Sequence, residues 1–220
     1  MNLANITDIV IKVLVLLIAV VVHEYSHGRM AEAMGDTTAR HAGRLTLNPL
    51  PHLDPFYSVI LPLFLIVTGS PVLFAAAKPV PINPLMFRHR RSGLFWVGLA
   101  GPASNLVMAF VAGAMLAGAW SWAPAIAVKF LGSFVTINCL LAVFNLIPLP
   151  PLDGSRLAEA IMPREWVRGY TAIEPFGIFV IFGLFFFLPG FFEAIILPAV
   201  NFLATMFTVW PQVLAKFLGL

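Results

Sequence analysis

The chain predicts an all-α polytopic membrane protein, and two observations carry that expectation. Of its 220 residues 60% are hydrophobic and only 10% charged, where soluble domains average about 45–50% apolar and about 25% charged. The apolar residues also fall in runs, near residues 9 to 22, 56 to 77, 94 to 119, 126 to 147, 176 to 188 and 191 to 210. Several of these runs approach the roughly 20 residues that a spanning helix needs. No repeat, low-complexity tract or flexible linker divides them, so residues 1 to 220 read as one membrane domain. Its expected parts are a three-helix core (about 5–34, 93–120 and 126–153), an insertion at 35–92 and a C-terminal helical hairpin at 173–217.

Charge and cysteine content narrow the class. The net charge is +3, but the basic residues lie between apolar runs and form no exposed stripe, which argues for membrane orientation and against nucleic acid. Cys139 is the single cysteine, so neither an internal disulfide nor a thiolate metal site can form, and a small packing residue is the expected role. Asp8 and the absence of a basic N-terminal region or a small-residue cleavage pattern make residues 1 to 30 a retained helix.

The first helix should run from about Asn5 to Met34 and stop at Gly35-Asp36, because glycine tolerates the left-handed cap. Gly43 to Leu47 alternates as a short strand or hairpin near the membrane surface would, before Asn48-Pro49 and Pro51 break it. The apolar segment 56 to 77, interrupted by Pro62 and Gly69-Ser70-Pro71, either spans or is re-entrant. Lys78 to Pro84 is too proline-rich for a helix and reads as extended backbone, and Arg88 to Arg91 reads as a lipid-headgroup anchor. The next helix covers Gly93 to Trp120, with Trp120 and Trp122 marking an interface. The last core segment is a helix from about Ile126 to Leu146 followed by prolines up to Asp153. Two apolar segments meeting at Leu188-Pro189-Gly190 complete the hairpin, the first short enough to cross only in part.

The chemistry is concentrated in His23-Glu24-Tyr25-Ser26-His27. On a helix two histidines four residues apart share a face, so one metal ion can touch both rings while Glu24 handles a water proton. An ionisable cluster at membrane depth is costly unless it pairs, binds metal or lines a wet cavity. A catalytic zinc site takes three protein ligands and an open position, and Asp153 is the best third ligand: an acid before Gly154, presented on irregular backbone after prolines 148, 150 and 151. Asn145 and Asn105 are amides at the same inferred depth, and either could hold an extended substrate or donate to a developing oxyanion; for Asn105 an interhelical hydrogen bond between packed membrane helices, or support of the site from behind, is the equal alternative. His52 and Asp54 admit two readings, a gating or supporting element near the metal or a capping Asp beside an interfacial His. His41, His89 and Glu193 receive no ligand role.

These motifs resemble the site-2 proteases, the intramembrane zinc metalloproteases. The resemblance rests on His23-Glu24-Tyr25-Ser26-His27, on Gly101-Pro102-x-x-Asn105 and on Asn145-x-x-Pro148-x-Pro150-x-Leu152-Asp153-Gly154. It extends to Gly43–Pro55 and Lys78–Pro84, as in short bacterial members without a PDZ or CBS domain. It implies that His23, His27 and Asp153 bind one zinc, that Glu24 is catalytic, and that Asn145 assists. It further implies a transmembrane protein substrate, often already shortened by another protease, that unwinds near the site. The alternative is a non-proteolytic membrane protein, a partner-binding subunit or transporter, using the same ligands structurally.

A topology follows from the same placements. The three motifs share one face only if residues 31 to 92 leave and return on it. That face then collects Arg29, Arg40, Arg44, Lys78, Arg88, Arg90, Arg91, Arg156, Arg164 and Arg168, with Lys12 and Lys129 opposite. The positive-inside rule makes it the cytoplasmic face, and the resemblance to short bacterial members implies a bacterial cytoplasmic membrane.

Overall fold

A computed structural model of the chain describes residues 3–53, 78–119 and 122–217. Helix α1 (Leu3–Met34) is followed by α2 (Thr38–His41) and two 3-10 turns, Leu50–His52 and Pro84–Met86. Then come α3 (Arg90–Ala119), α4 (Ala125–Asn145), α5 (Asp153–Ile161), α6 (Arg164–Thr171) and a 3-10 turn at Glu174–Phe176. Helix α7 (Gly177–Phe187) leads through a helical turn, Pro189–Phe191, and a π-helical turn, Phe192–Ile196, into α8 (Leu197–Phe217).

Four helical stretches are long and apolar enough to cross a membrane: Ile6–Met34, Arg90–Gly118, Ala125–Asn145 and Phe192–Trp210. The protein is therefore a multi-pass, all-helical membrane protein. Helix α1 stops where expected, with Gly35 at φ 112° and the Asp36 amide bonded to Ala31 O at 2.9 Å. Helix α7 has 11 residues, about 16 Å of rise, which is roughly half of the apolar thickness of a bilayer.

Helix α3 is the centre of the packing. On one side Ala109 and Ala112 meet Val135 and Cys139 of α4 together with Ile196 and Val200. Small side chains let these backbones approach closely where burial of oil against oil gives no driving force. Cys139 is fully buried in this cluster, the packing role expected of it. On the other side Leu94 and Val97 pack with Ala31 of α1, Phe87, and Ala160 of α5.

The ends of the helices sort by charge. The Arg88 amide donates to Met34 O at 2.9 Å, so α1 ends where α3 begins. Arg40 pairs with Glu32, Arg90 with Glu159 at 3.1 Å, and Arg91 donates to Met162 O at 3.0 Å. Residues 31–53 and 78–92 therefore leave and return at one end of the bundle. Lys129 pairs with Asp8, about 22 Å farther along α1 from His23.

Three expectations need correction or fall outside the description. No strand forms among the described residues: Gly43–Leu47 is irregular, and its neighbour Lys78–Pro84, although extended, offers prolines at 79, 81 and 84. A segment without those N–H groups cannot complete a ladder. In the core segment 126–153 the helix ends at Asn145, one residue from the expected Leu146, and a cis Pro150–Pro151 bond follows; but Asp153, expected on irregular backbone, opens α5. The segment 56 to 77 lies outside the described residues, but its flanks meet, Lys78 N–H donating to His52 O at 2.9 Å.

Candidate metal centre

One turn of α1 brings His23 and His27 onto the face that packs against α3, and the first residue of α5 brings Asp153 to them. Three atoms converge. His23 Nε2 lies 3.0 Å from His27 Nε2, and Asp153 Oδ2 lies 3.0 Å from the first and 3.1 Å from the second. Both histidines are buried.

The outer ring nitrogens fix what the inner ones offer. His27 Nδ1 sits 2.7 Å from Val97 O, a backbone carbonyl that only accepts. His23 Nδ1 sits 2.5 Å from Asn105 Oδ1, likewise an acceptor. Each neutral ring therefore carries its proton on Nδ1 and turns an Nε2 lone pair inward, as rings that ligate metal do. Two lone pairs and a carboxylate oxygen facing one point repel unless a cation stands among them. Donor atoms around a tetrahedral zinc with bonds of 2.0–2.1 Å are about 3.3 Å apart, so edges of 3.0–3.1 Å fit one such ion. His23, His27 and Asp153 form a group of potential ligands, and no fourth protein ligand joins them among the described residues.

Two glycines make the convergence sterically possible. A Cβ at Gly101 would lie 2.3 Å from His27 Nε2 and 2.6 Å from His23 Nε2, so a side chain there would fill the space an ion needs. A Cβ at Gly154 would lie 2.3 Å from Leu146 O and 2.5 Å from Ile147 O, pushing the start of α5, and Asp153 with it, away from α4. The Tyr170 hydroxyl donates to Pro148 O at 2.9 Å, tying α6 to the loop before Asp153.

Glu24 reaches the Lys78–Pro84 strap, where its Oε2 accepts the Val80 N–H at 2.7 Å. Asn105 is fully buried with its whole amide engaged: Oδ1 with His23, and Nδ2 with Asn138 Oδ1 at 2.8 Å and Ala19 O at 3.4 Å. No atom of it is left to hold a substrate. Asn145 ends α4, half-buried, with its amide nitrogen donating back to Leu141 O at 3.0 Å; no hydrogen bond joins it to the three converging residues. His52 is buried away from them. Its Nε2 bonds to Thr46 O at 2.8 Å and its carbonyl holds Lys78, which makes it part of the strap's anchorage, as is Arg44, donating to Lys78 O at 2.6 Å. Asp54 lies outside the described residues.

Sequence reasoning missed Asn138, the Val80 amide and the Val97 carbonyl. Only Asn138 carried a signal, an amide inside an apolar run at membrane depth, where polar groups are expensive.

Comparison with known proteins finds one family and several relatives. The model of Peptidase family M50 matches residues 116–190. YwhC of Bacillus subtilis, named as a candidate zinc metalloprotease, is 35% identical over 180 residues, covering 79% of this chain and 78% of YwhC. Rip2 of Mycolicibacterium smegmatis, named likewise, is 31% identical over 168 residues, covering 75% of this chain and 62% of Rip2. Rip3 of Mycobacterium tuberculosis, again so named, is 41% identical over 74 residues, 32% of this chain and 18% of Rip3. No solved structure matches the chain significantly.

Proposed function

The chain belongs to peptidase family M50, the site-2 protease family of zinc metalloproteases, and we propose that it is an intramembrane endopeptidase that hydrolyses peptide bonds in or near transmembrane segments of other membrane proteins. The observation that carries the reading is the convergence of His23 Nε2, His27 Nε2 and Asp153 Oδ2 within 3.0–3.1 Å of one another, one residue from the acid Glu24. His23, His27 and Asp153 would hold zinc, and the Lewis acidity supplied there would polarise a scissile carbonyl and acidify a water.

Glu24 accepts the proton of the attacking water and returns it to the departing amine. Its carboxylate is already oriented by the Val80 N–H, which leaves its second oxygen for the water. Asn145, at the end of α4, assists with its free amide hydrogen by binding the substrate carbonyl. The buried inner faces of α3 and α4, with Val97, Asn105 and Asn138, exclude lipid and bulk water from the inner side of the site. The charge-rich end of the bundle, with Arg29, Arg40, Arg88, Arg90 and Arg91, supports an active site toward the cytoplasmic face of a bacterial membrane. The substrate on this reading is a membrane-spanning protein.

A purely structural zinc is closed by four protein ligands, and the three-residue donor set among the described residues argues against that alternative. The deciding experiment compares the wild type with Glu24→Gln on membrane-embedded peptides. Loss of cleavage with zinc retained is expected, and cleavage that persists in a folded Glu24→Gln protein overturns the assignment of the base.

A further inference from the structure

We propose that Asn138 is a positioning residue for the metal centre, acting through Asn105 to hold His23 in the tautomer that binds metal; this rests on the reading of His23 as a zinc ligand. Asn138 is fully buried in α4, across from Asn105 of α3. Three side chains and one backbone carbonyl form a directed chain, and its direction is fixed from the far end.

That end is Phe134 O, which can only accept. The Asn138 amide nitrogen faces it at 2.8 Å, a back-bond to the preceding turn of its own helix. Asn138 Oδ1 must then point the other way, toward Asn105. An oxygen only accepts, so the Asn105 nitrogen faces it, at 2.8 Å. Asn105 Oδ1 is left facing His23 Nδ1 at 2.5 Å, and again an oxygen only accepts. His23 must carry its proton on Nδ1, and its Nε2 lone pair points at His27 and Asp153. Each member removes one of the two orientations open to the next.

Asn138 is the decisive member. Asn105 Nδ2 has a second acceptor, Ala19 O, but at 3.4 Å it holds the amide far less firmly than a contact of 2.8 Å. Without Asn138 Oδ1 the Asn105 amide is free to turn over and present N–H to His23 Nδ1. The ring then takes its proton on Nε2, where a metal would have to bind. Groups that orient a ligating histidine from behind typically change metal affinity about 10- to 100-fold when removed.

An amide bridging α3 and α4 could also serve only to pack the helices, and the test separates the two roles. Zinc affinity is measured on the full chain in detergent, after metal removal, by competition with a fluorescent chelator. Wild type binds one zinc. Asn138→Leu, close in size and apolar, is expected to bind zinc about 10- to 100-fold more weakly. The double variant Asn105→Asp/Asn138→Leu is expected to return to within about threefold of wild type, because a carboxylate presents only acceptors to His23 and needs no orienting partner. Wild-type affinity in Asn138→Leu overturns the proposal. So does a double variant as weak as the single one, since that is the outcome of packing damage. Should Asn138→Leu not fold, Asn138→Asp replaces it: it keeps an acceptor toward Asn105, and a tenfold loss of affinity in that variant would count against the orienting role. A folded wild type that takes up no zinc fails at the metal reading itself, a result distinct from any variant-specific loss.

Discussion

Val80 donates its backbone N–H to the Glu24 carboxylate at 2.7 Å, joining a strap outside α1 to the one acid within the metal-binding turn. Val80 stands between Pro79 and Pro81, so it is the only donor in that tripeptide and both neighbours have a fixed φ. The strap is held from behind by Arg44 and His52 and ahead by Asp36, whose Oδ2 accepts the Asn83 N–H at 2.6 Å. A rigid donor therefore orients Glu24 before any substrate arrives.

That relationship is testable by removing one hydrogen. Val80→Pro deletes the donor while suiting an extended backbone, and Val80→Ala keeps the donor while trimming the side chain. Hydrogen bonds to charged groups contribute about 1.5–3 kcal/mol. The proline variant should lose about tenfold or more in kcat with KM and zinc content unchanged, and the alanine variant should stay near wild type. Equal losses in both would assign the effect to packing against Gly28.

Glu24→Gln should retain one zinc, because Glu24 is outside the group formed by His23, His27 and Asp153. Its cleavage rate should fall about 10²- to 10⁴-fold, the usual share of a general base. Metal content and single-turnover cleavage, measured on one preparation, check both halves.

Gly101→Ala should empty the site while sparing the fold. Its new methyl would meet His27 Nε2 at 2.3 Å and His23 Cε1 at 2.6 Å, atoms of the donor set and not of the backbone. Zinc content near background, with helix content unchanged by circular dichroism, is the expected pair of results. A variant with full zinc occupancy contradicts this geometry.

Chelation should abolish cleavage without unfolding the chain. The bundle has its own packing on both sides of α3, independent of the metal centre. Zinc added back at about 100 times its dissociation constant should stabilise the protein by about 2.7 kcal/mol, seen as a rise in the thermal midpoint.

Labels at residues 36 to 48 and 86 to 92 should react from the same side of the membrane, since Arg88 is bonded to Met34 O. A label beside Asp8 should react only from the opposite side. Reactivity of the first two sets from different sides contradicts the bundle.

Much of this was legible in the linear chain. Apolar runs located the four long helices because a bilayer tolerates only backbone that satisfies itself. The spacing of His23 and His27 placed two ligands on one face because a helix repeats every 3.6 residues, and Gly35 marked the end of α1. Where local pattern competed with partners, the reading failed. Gly43–Leu47 alternates like a strand, but its neighbour among the described residues, Lys78–Pro84, is too proline-rich to pair with it. Asp153 was expected on irregular backbone, yet it opens α5, where the loop's prolines have ended and Gly154 allows the close approach to α4.

By itself, then, the sequence determined the class of the protein, the turn that carries two histidines and a glutamate, and the candidates Asp153, Asn105 and Asn145 for the rest. Tertiary structure alone decided among them. It brought Asp153 to 3.0 Å from His23, put Asn105 behind that ring instead of beside a substrate, bonded Asn145 to its own helix, and added Asn138 and the Val80 amide. The physical reason is that periodicity fixes which face a side chain takes, whereas the partner of a polar group depends on which distant backbone the packing of α1, α3 and α4 brings within hydrogen-bonding distance.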